Sequence, residues 1–187
     1  KDVTTRLVYD GQGLLRYTID GLARVTELVY WQGAGNEARA SGLVRKTVQY
    51  AAPLGSVANY RYGTIKSAVA SLANAANDRA AYSVYNDRGQ LAYSMDASGA
   101  VAAFSYDDQG RVTKSVQLAV LSSAATLGTS DSQWKANLDS WAAANGAGAR
   151  ITRNYYAASG ALRFVVNAEG YVSRNDYDQE GRLYTSY

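Results

Sequence analysis

The chain has 187 residues, 47% of them apolar and 19% charged, so it can bury a core and is not composed like a disordered segment. It contains no cysteine and no histidine, which excludes disulfides, thiolate metal sites, thiol nucleophiles and a Ser-His-Asp triad. The formal net charge is +3, and the basic residues are scattered rather than clustered as in a nucleic-acid-binding surface.

Tyrosine and glycine are abundant, at 16 and 17 residues, whereas Pro53 is the single proline. This composition is typical of short β-strands that are joined by tight turns. No run of 18 apolar residues occurs, so we expect no membrane insertion. The first ten residues lack the apolar stretch of a signal peptide, and we expect the chain to be an internal part of a longer protein.

The first predicted element is a β-meander over residues 3–35. Within it, Leu15, Tyr17 and Ile19 alternate with polar residues, which is the period of a strand with one apolar face. Similar alternation recurs later in the chain, where turn glycines are spaced by 10 and 11 residues. This spacing leaves about seven residues between turns, a usual strand length.

The turns of this meander carry an aspartate followed by a glycine. Asp10 at the first turn position can accept hydrogen bonds from the turn backbone, and Gly13 at the fourth can adopt a left-handed conformation. The pattern predicts a type I turn with a bulge. In the second turn the glycine is displaced to Gly21, and the third turn, over residues 30–42, is predicted to be a longer irregular loop.

An insertion over residues 47–78 follows the first meander and is predicted to end in a helix over residues 64–78. Apolar residues recur there at spacings of four, three and four, as on one face of a helix. These positions are Ile65, Val69, Leu72 and Ala76.

The meander is repeated at residues 79–117 and again at residues 150–187. When Tyr9, Tyr85 and Tyr156 are aligned, the three copies agree at seven positions. The shared positions include a glycine four residues on, a leucine six residues on and a valine sixteen residues on. Because chance does not produce this agreement, we predict three copies of one β-hairpin unit.

A second insertion, over residues 118–149, is predicted to contain a helix over residues 130–145. Ser130 and Gln133 form a plausible capping box at its start. The apolar stripe of this helix comprises Trp134, Leu138 and Trp141. The two tryptophans could form a platform that stacks on sugars, but their spacing favours docking of the helix onto the sheet.

Two stretches of the repeats carry a short signature, YDDQGRV at residues 106–112 and YDQEGRL at residues 177–183. A period of 21 residues separates Tyr85 from Tyr106 and Tyr156 from Tyr177. Together these features resemble the YD repeats of the RHS family. The resemblance implies β-hairpins that join into a strip of sheet and spiral into a hollow shell, as in bacterial RHS toxins, insecticidal toxin complexes and teneurins.

We therefore predict a mainly β fold. Antiparallel YD-repeat hairpins form a curved strip of sheet, with the two helices packed on it, and residues 1–187 form a single repeat segment. The resemblance implies a non-enzymatic structural segment of a large secreted or cell-surface bacterial protein. This segment would form part of a shell wall for toxin encapsulation or adhesion.

Carboxylates in the turns offer the strongest case for chemistry, because paired carboxylates can serve a glycosidase. Each of them, however, is explained by capping of its own turn: Asp10, Asp96, Asp107 and Asp178. The turn oxygens could also hold calcium, but no loop has the spacing of an EF-hand. We predict no catalytic residue, no metal site and no cofactor.

The alternative function is a carbohydrate- or protein-binding module that uses exposed aromatic residues. The register tyrosines are expected to brace the corners, whereas Trp31, Tyr60 and Tyr62 lie outside the register and are the predicted ligand-binding residues. Neighbouring repeats of the same protein are the expected partners. Open sheet edges also predict self-association.

Overall fold

The computed structural model describes residues 4–31, 42–128 and 133–187. Within these ranges the chain forms twelve β-strands and three short helices, which confirms the predicted mainly β, antiparallel fold. The chain divides into two units, Lys1–Gly89 and Gln90–Tyr187. Most of the irregular loop that was predicted over residues 30–42 lies outside the described residues.

The first unit is an antiparallel meander in which each strand pairs with the next along the chain. A helix, α1, covers residues Tyr62–Ala70 between its fourth and fifth strands. The strands are β1 Arg6–Tyr9, β2 Leu15–Ile19, β3 Val25–Tyr30, β4 Val44–Gln49 and β5 Arg79–Tyr85.

The second unit is also an antiparallel meander in which each strand pairs with the next, and it has seven strands. Two helices, α2 Ala124–Leu127 and α3 Trp134–Ala144, lie between its third and fourth strands. The strands are β6 Leu91–Met95, β7 Val101–Tyr106, β8 Val112–Gln117, β9 Arg150–Tyr156, β10 Leu162–Val166, β11 Val172–Tyr177 and β12 Leu183–Ser186.

The core of the first unit lies between α1 and one face of the sheet. Ile65 and Val69 of the helix are buried against strand residues that include Tyr17 and Val25. Full burial of an aliphatic side chain such as Ile65 stabilises the fold by about 1.5–3 kcal/mol. The first two positions of the predicted stripe therefore fix the helix to the sheet, whereas Leu72 and Ala76 lie beyond the helix.

The second unit uses α3 in the same way. Trp134 and Leu138 are buried, and α3 contacts β6. The hydroxyl of Tyr93, on β6, donates a 2.7 Å hydrogen bond to Asp139 of α3. These contacts favour the docking role for the tryptophan stripe over a sugar-stacking platform.

The first helix is shorter than the predicted range of 64–78, since it ends at Ala70. The reason lies in two side chains beyond it. The Asp78 carboxylate accepts the N–H of Asn74, and the Asn74 side chain accepts the N–H of Ala76, so these N–H groups are bound in a turn. Short polar side chains thus replace helical hydrogen bonds although the apolar spacing continues.

The second insertion also differs in detail from its prediction. The short helix α2 was not predicted, because four residues are too few to show a helical period. The N-cap residue of α3 is Gln133, which makes no side-chain capping bond, and Ser130 of the predicted capping box lies outside the described residues. The helix ends at Ala144, one residue short of the prediction.

Candidate functional site

The most regular feature of both units is the corner at which the chain reverses. Gly13 donates its N–H to the carbonyl oxygen of Asp10 at 3.0 Å, and its φ of 78° lies in the left-handed region that favours glycine. This geometry confirms the predicted type I turn with a bulge. Glycines with positive φ occupy the equivalent places at Gly89, Gly99, Gly110, Gly160, Gly170 and Gly181.

The side chain of the first turn residue caps the corner from inside. In the corner that begins at Asp107, one carboxylate oxygen accepts the backbone N–H groups of Gln109 and Arg111, at 3.0 and 2.9 Å. Asn167 does the same without a charge. The predicted role of the turn carboxylates as caps of their own turns is therefore confirmed at the described corners.

The arginine that follows the turn glycine explains the charged part of the signature. The Arg111 side chain donates to the second oxygen of Asp107 at 2.7 Å, and Arg182 donates to Asp178 in the same way, also at 2.7 Å. Asp and Arg at this spacing therefore form an ion pair within one turn. The Arg111 guanidinium also lies 4.5 Å from the ring centre of Tyr156, which is a cation–π distance.

These contacts hold the turn carboxylates in their charged form. The backbone N–H of Arg111 lowers the pKa of Asp107 most, and partial burial opposes this, while the Arg111 side chain adds to the lowering. The pKa of Asp20 is lowered in the same way by the backbone N–H and then the side chain of Arg24, and that of Asp178 by those of Arg182. Such groups are fixed acceptors rather than proton donors near neutral pH.

Five register tyrosines each link their corner to the preceding corner on the same side of the sheet. The Tyr30 hydroxyl donates a 2.8 Å hydrogen bond to the carbonyl oxygen of Leu15. We call this series of contacts the tyrosine ladder. Its other rungs run from Tyr85 to Val44, from Tyr106 to Leu91, from Tyr156 to Val112 and from Tyr177 to Leu162.

The second turn of the first copy departs from the pattern at Ala23. The displaced Gly21 leaves alanine at the fourth turn position, and Ala23 is the one described non-glycine residue with positive φ, at 61°. The turn still forms, since Ala23 donates its N–H to the Asp20 carbonyl oxygen at 2.9 Å. This corner therefore keeps the shape of the others at the expense of a strained backbone.

The three predicted ligand-binding residues lie in the first unit in different environments. Trp31 follows β3 and is buried, and its backbone N–H donates to the carbonyl oxygen of Leu43. Tyr62 begins α1 and stacks on Tyr17, with ring centres 6.1 Å apart. Tyr60 is exposed, and the Arg6 guanidinium lies 4.4 Å from its ring centre. The structure does not assemble them into one platform, so their binding role stays a prediction.

A polar contact in the first unit was not predicted from the sequence. Glu27 lies on the apolar face of β3, where Tyr17 and Tyr50 donate hydrogen bonds to its two carboxylate oxygens at 3.1 and 2.6 Å. Burial, and then the charge of Glu27, raise the pKa of Tyr17, which keeps its hydroxyl protonated. The signal in the sequence was a glutamate at a position between Val25 and Val29 that the alternation reserves for apolar residues.

A cleft of about 510 Å³ lies on the first unit. Its lining includes a row of side chains on successive paired strands, Thr18, Thr26, Gln49 and Arg79. Within the described part of the chain, the Arg79 side chain makes no hydrogen bond or ion pair. The lining contains none of the three predicted ligand-binding residues.

A corresponding cleft of about 430 Å³ lies on the second unit, lined by Ala102, Gln117 and Arg150 at the equivalent strand positions. Here Arg150 forms an ion pair with Glu169, which also lines the cleft. Among the described residues no group of three or more acidic side chains could hold a metal ion. No described helix is long and apolar enough to cross a membrane.

Solved structures with the same fold come from toxin complexes. The crystal structure of TcdB2-TccC3-Cdc42 matches with a TM-score of 0.59 at 16% identity, over 98% of this chain and 8% of that one. The crystal structure of TcdB2-TccC3 matches with a TM-score of 0.59 at 16% identity, over 97% of this chain and 8% of the other. A Photorhabdus luminescens Tc holotoxin pore matches with a TM-score of 0.58 at 16% identity, with coverages of 98% and 8%.

This chain therefore spans about 8% of the length of the proteins whose structures it matches. No curated protein sequence matches it. The family model described as RHS Repeat matches residues 85–119. This range contains the three turns that begin at Asn86, Asp96 and Asp107, the tyrosine rung at Tyr106 and the Asp107–Arg111 ion pair. The chain carries an RHS repeat, and its resemblance to the RHS/YD-repeat family is confirmed.

Proposed function

We propose that this chain is a non-enzymatic structural segment in the wall of a β-shell. The observation that carries this proposal is the tyrosine ladder, because each rung fixes one corner to the preceding corner on the same side of the sheet. A hydroxyl-to-carbonyl bond that recurs at five of the register tyrosines sets the spacing between corners along one side of the wall. Nothing in the ladder limits the number of copies, so the pattern suits a long continuous strip.

The sheet edges support the same role. Among the described residues of the first unit β1 pairs on one side only, with β2, and in the second unit β12 pairs only with β11. Unpaired strand edges attract further strands. We propose that residues 1–187 act as one repeat segment, with neighbouring repeats of the same protein as partners at both edges. An isolated chain would meet a second copy there instead.

The larger protein would be a secreted or cell-surface bacterial protein that uses the wall to encapsulate a toxin or as an adhesion scaffold. The similar structures are toxin complexes, which favours encapsulation. The turn carboxylates support a role without catalysis, because backbone N–H groups and arginines already occupy their oxygens.

Electron cryomicroscopy of the whole protein that contains this chain tests the proposal. We expect residues 1–187 to form a stretch of a continuous β-wall, with the tyrosine ladder running on into the flanking repeats. A detached domain joined to the rest by linkers would contradict it. A toxin enclosed by the wall would support encapsulation, whereas an empty wall with a surface anchor would support adhesion.

The exposed ring of Tyr60 favours the alternative, a carbohydrate- or protein-binding module. The Arg6 guanidinium that stacks on this ring offers hydrogen-bond donors beside an aromatic face, a combination that suits a sugar. A glycan array, followed by a tyrosine-fluorescence titration with Tyr60→Ala as the control, tests this role. Saturable quenching by a sugar that the substitution abolishes would support a binding module. Fluorescence that does not change when the sugar is added would support the scaffold alone.

A further inference from the structure

We infer that the apolar face of the third copy is the docking surface for an amphipathic helix of the kind formed by α3. This face, which we call the third-copy face, consists of Tyr155, Phe164, Val166 and Val172. The inference rests on the proposed role of the chain as one stretch of a longer repeat. The helix would belong to an insertion that follows the third copy along the same polypeptide.

The third-copy face occupies repeat positions that are buried in both earlier copies. Tyr17 and Tyr93 expose 2% and 8% of their surface, whereas Phe164 at the same position exposes 37%. Val25 and Val101 expose 1% each, whereas Val172 exposes 60%. The strand pairing is conserved, since Ile19 pairs with Val25 and Val166 pairs with Val172.

What covers these positions in the earlier copies is the insertion that follows each copy. In the first unit Ile65 and Val69 of α1 pack on the apolar face. Leu54 joins them from the lead-in segment, our name for the residues between the last strand of a copy and the first helix after it, 50–61 and 118–123. In the second unit α3 lies against β6. Covering elements thus come from the C-terminal side in both cases.

The second turn of each copy provides an independent observation. The lead-in segment crosses this turn in the first two copies, where Leu54 donates to the Ala23 carbonyl oxygen at 2.8 Å and Ser122 donates to that of Gly99 at 2.7 Å. A Cβ atom at Gly99 would lie 2.1 Å from the Ser122 oxygen. At Gly170, the equivalent glycine of the third copy, nothing lies within 4 Å of such an atom.

The residues of the third-copy face also limit the chemistry of the helix. The buried tyrosines of the earlier copies each donate to a carboxylate, Tyr17 to Glu27 and Tyr93 to Asp139. Phe164 carries no hydroxyl, and its cross-strand partner is Arg174, which holds the repeat position of Glu27. We therefore expect an aromatic and aliphatic stripe like that of α3, and a carboxylate of the helix, such as one at the position of Asp139, would meet Arg174 in place of a tyrosine hydroxyl.

An extended chain tests the inference. Because Tyr187 holds the repeat position of Val116, a second copy of the sequence 117–149 is joined directly after Tyr187. Amide hydrogen exchange is measured for β10 and β11, with the chain at a concentration where sedimentation shows a monomer. The control extension carries the changes that correspond to Trp134→Ser and Leu138→Ser, which remove the apolar stripe.

We expect exchange in β10 and β11 to slow by at least about tenfold with the intact extension and to stay unchanged with the control extension. Equal exchange in the extended and original chains would overturn the inference, as would equal slowing by both extensions. A dimer of the original chain that already protects β10 and β11, and that the intact extension leaves in place, would show that a second copy covers the face.

These results can be separated from a failure of the proposed function. If the whole protein held this chain as a detached domain, slowed exchange would still show that the face binds a helix. If the wall were continuous but the extension had no effect, the wall role would stand and the docking inference alone would fall.

Discussion

The hydroxyl of Tyr30 donates a 2.8 Å hydrogen bond to the carbonyl oxygen of Leu15, fifteen residues earlier. The bond joins the tyrosine of one corner to the aliphatic residue after the preceding corner on the same side of the sheet. Two features that the copies share thus meet in one contact. Tyr9 holds the same repeat position at the first corner, where its side chain is half exposed and makes no hydrogen bond with the described residues. These two tyrosines form a natural pair for testing the ladder.

Replacing Tyr30 with phenylalanine removes the rung but keeps the ring. We expect the free energy of unfolding to fall by about 1 kcal/mol, the usual net value of an intramolecular hydrogen bond to a partly buried acceptor. Tyr9→Phe should change it by less than about 0.5 kcal/mol, since no bond is lost there. Urea unfolding followed by circular dichroism measures both, and equal effects would show that the rung adds no stability.

The crossing of the lead-in segment over Gly99 predicts a large difference between two glycines. Gly99→Ala adds a methyl group that overlaps the backbone oxygen of Ser122, in addition to the left-handed strain at a φ of 90°. We expect a loss of more than about 3 kcal/mol, because a backbone segment must move.

Gly170→Ala is the matched control, with a φ of 86° and open space around the new methyl group. It should cost only about 1 kcal/mol, from backbone strain alone. Both variants can be compared by urea unfolding. Similar losses for the two would mean that the contact between Ser122 and Gly99 does not constrain the fold.

The sequence predicts the features that repeat, but it does not predict those that depend on where the insertions pack. Corner geometry, strand spacing and the docking stripe of α3 follow from local patterns that recur at fixed intervals. The bond between Tyr93 and Asp139 joins residues 46 positions apart and depends on the placement of α3 on β6. No periodicity encodes that placement.

The candidate site shows the same division. The sequence predicts that the register tyrosines brace the corners, and the structure gives carbonyl partners to all of them except Tyr9. Trp31, Tyr60 and Tyr62 are the predicted ligand-binding residues because the repeat does not explain them. Their exposure is set by tertiary packing, which buries Trp31 and stacks Tyr62 on Tyr17. The end of α1 likewise depends on the side-chain bonds of Asn74 and Asp78.

The strained turn at Ala23 predicts a stabilising substitution. Glycine relieves a left-handed strain of about 1–2 kcal/mol, but it adds about 0.4–1 kcal/mol of conformational entropy to the unfolded chain. We expect Ala23→Gly to raise the free energy of unfolding by about 0.5 kcal/mol. Ala161→Gly, at a described position without positive φ, should lower it, because only the entropy change applies. A loss of stability at Ala23 would show that the packing of its methyl group outweighs the strain.

Acid should weaken the corners through their carboxylates. The fold lowers the pKa of Asp10, Asp20, Asp96, Asp107 and Asp178. A carboxyl group whose pKa is lower in the folded chain than in the unfolded chain stabilises the fold above its unfolded pKa of about 4. That stabilisation is lost as the pH falls through the folded pKa. We therefore expect the urea midpoint to be flat near neutral pH and to decrease below about pH 4.

The double variant Asp107→Asn with Asp178→Asn tests the origin of this decrease. Asn167 shows that an amide oxygen accepts the same two backbone N–H groups, and Asn86 accepts the first of them, so the corners should still form. The variant loses the ion pairs with Arg111 and Arg182 and two of the titrating groups. Its midpoint should therefore fall less steeply between pH 5 and pH 2, as measured by urea unfolding at each pH. An unchanged slope would place the acid sensitivity in other groups.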